Sequence, residues 1–148
     1  VTRQASDRQL GAVRVLVDRE GFRVVVGEQM LPTRAGQPAG CAQTLCLAHP
    51  NADRLVERYD WLGLYHTLLE LRQQQPDTLV RLDIAAANEI PFGVVVRAMD
   101  LARYELAVGS GSTPPQSDAE LAQAQPRRDG AQPRPLFAAQ TLGLPIVR

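Results

Sequence analysis

The sequence predicts an α+β fold: a two-layer sandwich in which four or five strands form one sheet and two helices cover one of its faces. Three patterns carry that expectation. Val13-Arg-Val-Leu-Val17 and Phe22-Arg-Val-Val-Val26 are β-branched apolar runs divided by a short polar link. Leu79-Val-Arg-Leu-Asp-Ile84 alternates strictly, with Leu79, Arg81 and Asp83 on one face and Val80, Leu82 and Ile84 on the other. Two further stretches repeat apolar residues at spacings of three and four, which is the helix period.

In chain order, Val1–Gln9 is polar and aperiodic and reads as a flexible lead-in. The link Asp18-Arg-Glu-Gly21 ends on a residue that tolerates positive φ, so the first two runs read as a β-hairpin. Glu28-Gln-Met-Leu-Pro32 adds a short extension. Residues 33–59 are punctuated by Gly36, Pro38, Gly40 and Pro50 and read as an irregular loop, functional or stapled. Asp60 is placed to cap a helix whose apolar stripe is Trp61, Leu62, Leu64, Tyr65, Leu68, Leu69 and Leu71, stopping before Pro76. A second helix starts near Pro91, whose missing N–H is harmless in a first turn. Val94, Val95, Ala98, Met99, Leu101 and Ala102 supply its buried face.

Beyond it, residues 109–134 are rich in Gly, Ser, Pro and Gln and predict a disordered or loosely attached insertion. Leu136–Val147 recovers apolar character and reads as a closing strand. Strand order is not encoded in these patterns.

Composition narrows the function classes. The chain has 148 residues, 45% hydrophobic and 22% charged, and a formal net charge of zero. That suits one globular domain and argues against nucleic acid, whose binding needs clustered basic side chains. No apolar run is long enough to span a bilayer. Val1 in place of Met is expected of an excised or processed piece. Every basic residue is Arg, which removes any mechanism built on a Schiff-base or P-loop lysine. Gly109-Ser-Gly-Ser-Thr113 is glycine-rich, but it follows a helix and precedes Pro114-Pro115, so it reads as linker.

Cys41 and Cys46 share the irregular loop, and three readings compete for them. A disulfide is the preferred one, since turn residues can bring the two Cα atoms to about 5.5 Å. A metal site would join them to His49 and His66, although Cys-x4-Cys-x2-His is a weak zinc spacing. Free, partly buried thiols are the third. A Cys46–His49 nucleophile lacks an orienting partner, and His66, between Tyr65 and Leu68, reads as a packed histidine. On the second helix, Asp100 can pair with Arg97 or Arg103, making a charged stripe opposite the apolar face.

One segment says more. Ile84-Ala-Ala-Ala-Asn-Glu-Ile-Pro-Phe-Gly-Val-Val-Val-Arg-Ala-Met-Asp-Leu-Ala-Arg103 reads as a strand, a sharp turn ending in Pro91, and a helix closing on Met-Asp-x-Ala-Arg. It resembles the end of the periplasmic domain in the ExbD/TolR family, the small subunits of proton-driven inner-membrane motors. Members commonly show a strand ending near Ala-Asp, a Val/Ile-Pro-Tyr/Phe turn and a helix with Val-Val-x-x-Met-Asp. Weaker agreement extends over Leu10–Val26 and Trp61–Gln75.

The resemblance implies that residues 1–9 lead in from a transmembrane helix lying outside this chain, and that residues 10–148 form the periplasmic domain of a single-pass inner-membrane protein. That missing helix would carry the proton-conducting aspartate and meet an ExbB/TolQ/MotA-like channel subunit. The domain itself would form a homodimer and contact peptidoglycan or a periplasmic partner protein, with no catalysis and no cofactor. Sheet-edge pairing would use the closing strand, giving Leu136, Phe137, Leu142, Leu144 and Ile146 as interface residues. The Cys-bearing loop and the 109–134 insertion exceed the common pattern and favour a divergent motor, such as a gliding or phage-defence stator. The competing expectations are a small metal-binding or thiol enzyme domain using Cys41, Cys46 and His49, and a generic α+β interaction module.

Overall fold

The structure is a computed structural model that describes residues 12–74, 81–109, 113–137 and 139–142. Strand β1 (Ala12–Asp18) turns at Arg19-Glu20 into antiparallel β2 (Gly21–Val26), in a register that sets Val13 opposite Val26 and Asp18 opposite Gly21. The Asp18 carboxylate accepts from the Glu20 N–H at 2.8 Å and closes the turn. Because strand side chains alternate, Val13, Val15, Val17, Phe22 and Val24 all fall on one face and are buried, whereas Arg14 is exposed on the other. The hairpin is therefore one-sided, and its apolar face needs a cover.

Two helices supply it. After the short helix α1 (Leu55–Arg58), helix α2 (Trp61–Gln74) is capped by Asp60, whose carboxylate accepts from the Gly63 N–H at 2.9 Å. Its Leu64, Tyr65, Leu68 and Leu69 join the core. Strand β5 (Arg81–Ala86) adds Leu82 and Ile84 to the same face. The chain turns at Ala87–Pro91 into helix α3 (Phe92–Leu101), which buries Val94, Val95, Ala98 and Leu101. Proline fixes φ at −59° immediately before α3, an entry angle the helix accepts.

The main sheet has six strands, including two short ones, β3 (Gln29–Met30) and β4 (Leu45–Cys46), and the last, β10 (Ala139–Leu142). Its order is β10-β5-β1-β2-β3, with β4 also paired to β2. Both β1–β5 and β5–β10 are parallel, and the hairpin is antiparallel, so the sheet is mixed. The architecture is α+β, as the sequence patterns imply.

Two expectations need correction. The insertion is ordered where it is described: strand β6 (Leu106–Ala107) pairs with β7 (Gln125–Pro126), β8 (Arg128–Asp129) pairs with β9 (Gln132–Pro133), and helix α4 (Asp118–Gln123) lies between the strands of the first pair. Ser117 caps α4 by accepting from the Glu120 N–H, and Leu121 enters the core. Polar composition hides this order because backbone pairing and two buried apolar residues, Pro115 and Leu121, hold the segment.

The closing strand also begins later than expected, at Ala139. Leu136 and Phe137 precede it; their N–H groups bond to Arg103 and Ala102 carbonyls at the end of α3, and their side chains are 1% and 0% exposed. Residues 1–11 and 143–148, which include the expected lead-in, Leu144 and Ile146, lie outside the described residues.

Tyr59 closes the core beside the hairpin turn. Its hydroxyl donates to the Asp18 carbonyl at 2.7 Å, and its ring lies 5.0 Å from Phe22 and 5.6 Å from Trp61. Burial, helped by the Asp18 carboxylate, pushes its pKa up to about 12. The folded state thus holds a proton that the unfolded chain releases near pH 10. That contribution is intact below pH 10 and is lost as pH rises towards 12, by roughly 2–3 kcal/mol in total. Urea midpoints between pH 9 and 11.5 should fall accordingly, and Tyr59→Phe should flatten the decline.

Candidate functional site

The two edges of the sheet are treated differently, and the sequence chemistry explains why. On the β2 side the Cys-bearing loop folds back as a cover. Strand β3 pairs with Val25 and Val26, β4 pairs with Gly21 and Phe22, and between them the Val24 N–H donates to the Thr44 hydroxyl at 3.1 Å. Gln43 and Thr44 are buried, and the Thr33 hydroxyl donates to the Gln43 carbonyl at 2.7 Å. Cys41 and Cys46 are joined as a disulfide with their Cα atoms 6.0 Å apart. The staple therefore clamps the segment that seals this edge, a recognised way of keeping a strand from pairing with other chains.

Cross-linking so small a ring restricts few unfolded conformations, about 2 kcal/mol in the chain-entropy picture. Reduction, or the pair Cys41→Ser and Cys46→Ser, should lower stability by that amount in urea melts. A mass gain of two hydrogens on reduction checks the bond directly.

The metal reading finds no support in this arrangement. The bonded sulfurs are not available as thiolates. The His49 imidazole sits 2.9 Å from the Asp118 carboxylate, and His66 meets the Pro115 carbonyl at 2.7 Å. Among the described residues no three His, Cys, Asp or Glu side chains converge as a metal set. The two histidines instead tie α2 and the loop to the 113–118 segment.

At the opposite side β10 pairs only inward, with β5, among the described residues. Gln140 holds it by donating to the Met99 and Phe137 carbonyls, and the Thr141 hydroxyl donates to the Asp83 carboxylate. Among the described residues nothing pairs with the outer backbone edge of Ala139–Leu142. Beside it lies a shallow groove of about 220 Å³ lined by Ile84, Ala86, Ile90, Phe92, Val95 and Leu142. Phe92 is 67% exposed and Leu142 54%, and Val96 adds a third exposed apolar side chain on α3. An open strand edge flanked by uncovered apolar groups is suited to taking a further strand.

Of the three sequence-derived interface residues that are described, Leu142 stands at this surface, whereas Leu136 and Phe137 are buried in the core. The charged stripe on α3 is only partly formed. Arg103 lies 3.8 Å from Asp100, while Arg97 instead sits over the Trp61 ring, 5.8 Å from its centroid. Phe92 was not legible as a surface residue, because an aromatic after Pro in an apolar helix reads as core. No family model, curated protein or solved structure matches the chain, so its role rests on its own residues.

Proposed function

We infer that this chain is the periplasmic domain of an ExbD/TolR-like subunit of a proton-motive-force-driven motor. In this reading two copies pair, and the dimer anchors to peptidoglycan or hands force to a periplasmic partner. The observation that carries it is the asymmetry of the sheet: on one side the disulfide-bearing loop returns β3 and β4 to cover β2, and on the other, among the described residues, nothing pairs with the outer edge of β10 beside Phe92 and Leu142. The residue pattern at Ile84–Arg103 supports it by resemblance, and its strand, proline turn and helix supply the wall of the groove. No helix among the described residues is long and apolar enough to cross a membrane. By the resemblance, proton conduction and contact with an ExbB/TolQ/MotA-like channel subunit would belong to a transmembrane helix preceding this domain. In this reading Asp83 and Asp100 belong to the scaffold: Asp83 accepts from the Thr141 hydroxyl, and Asp100 sits near Arg103 on an exposed helix face.

The coding sequence upstream of Val1 tests the family reading. An apolar helix of about 20 residues holding one aspartate is expected, and an upstream soluble domain would contradict it. Retention of the domain on purified peptidoglycan sacculi then separates wall anchoring from partner binding.

A further inference from the structure

The loop that covers β2 contains a small buried plug. Pro38–Gly40 and Ala48–Pro50 are exposed, and Cys41 and Cys46 are half-buried. Inside the ring that the two cysteines close, Gln43, Thr44 and Leu45 are buried. Glycines on two other elements make room for them. A Cβ at Gly21 on β2 would collide with the Leu45 carbonyl oxygen, and one at Gly63 on α2 would stand 2.8 Å from Leu45 Cδ2. Leu45 therefore fills a socket that exists only because both positions lack a side chain.

The plug is held in that socket mainly by single hydrogen bonds. The Thr44 hydroxyl accepts from the Val24 N–H and donates to the Leu31 carbonyl at 3.0 Å, while the Thr44 carbonyl accepts from the Arg34 N–H. Gln43 accepts from Arg23 Nε at 3.0 Å, and the Cys46 N–H donates to Gln37 Oε1 at 2.9 Å. Its ladder with β2 covers only Gly21 and Phe22. Each such bond adds little net stability. The disulfide joins the two ends of the plug and no distant elements, so breaking it acts first on the plug itself.

We propose that Cys41–Cys46 is a thiol-exchange switch whose reduction releases Gln43–Leu45 from the socket and uncovers the outer side of β2. The reductant is a dithiol of the Cys-x-x-Cys class. Its first thiolate attacks one sulfur and breaks the S–S bond, leaving a mixed disulfide and one protein thiolate. Its second thiolate attacks the mixed disulfide and frees the other cysteine. Two electrons pass to the chain, two protons follow, and the reductant leaves as its own disulfide. The half-buried cysteines leave the bond within reach of solvent, and the released strand edge regains unpaired backbone groups.

Amide hydrogen exchange of the full chain at several low urea concentrations tests the switch, with dithiothreitol as the dithiol. The Val24, Arg34 and Cys46 N–H groups report on the seated plug, and the amides shared by β1 and β5 report on the whole domain. Reduction should speed the first three at least about tenfold, at rates indifferent to urea. The β1 and β5 amides should keep the urea-dependent rate of whole-domain unfolding. Reoxidation should reverse the change, and the pair Cys41→Ser and Cys46→Ser should reproduce it without reductant. Should that pair fail to fold, the reduced wild type carries the same comparison. A folded chain that dithiothreitol leaves oxidised would overturn the switch. So would plug amides that reduction leaves unchanged, or that acquire the urea dependence of β1 and β5.

Discussion

Gly21→Ala is expected to destabilise the domain by about 3–5 kcal/mol, combining backbone strain with a steric collision. Gly21 opens β2 at φ 140°, a region that residues with a Cβ rarely adopt. A Cβ there would stand 2.0 Å from the Leu45 carbonyl oxygen and 3.0 Å from the Cys46 Cα, both backbone atoms of the sealing strand β4. Neither can move without opening the edge that the disulfide clamps. Gly93→Ala makes a sharp control. A Cβ at Gly93 meets nothing within 4 Å, and its helical position should gain a few tenths to about 1 kcal/mol. Urea midpoints of the two variants should move in opposite directions.

Phe137→Ala should cost about 3–5 kcal/mol, because it empties a fully buried aromatic site. The ring belongs to the same cluster as Leu136, Leu101 and Ala102, and its backbone N–H is bonded to Ala102 at the end of α3. The loss should show as a lower urea midpoint at every protein concentration. A residue serving an interface would give concentration-dependent stability, so this variant separates core from contact. Leu142, half exposed on β10, should behave in the opposite way: Leu142→Lys should leave the protomer's stability within about 0.5 kcal/mol.

Local chemistry made much of this fold legible in the sequence. The hairpin follows from two β-branched runs and Gly21, α2 from the Asp60 cap and a stripe of Leu residues, and α3 from Pro91 and its valines. Non-local chemistry was hidden. Leu136-Phe137 has the apolar character of a strand, yet the pairing falls on Ala139-Gln-Thr-Leu142, where parallel partnership with β5 outweighs weak intrinsic β preference. The 113–134 segment looks too polar to order, because composition does not register a half-buried Glu105 holding two arginines from distant positions. The cysteine spacing pointed to a staple, but only the sheet reveals that the staple guards an edge.

The open edge and the stapled one together predict self-association through β10. Sedimentation velocity of the chain over a concentration series, beside Leu142→Lys, measures it directly. A reversible dimer that Leu142→Lys shifts to monomer, with its melting unchanged, is the expected result. A wild-type chain that stays monomeric at every concentration, or a dimer indifferent to Leu142→Lys, would contradict pairing through this edge.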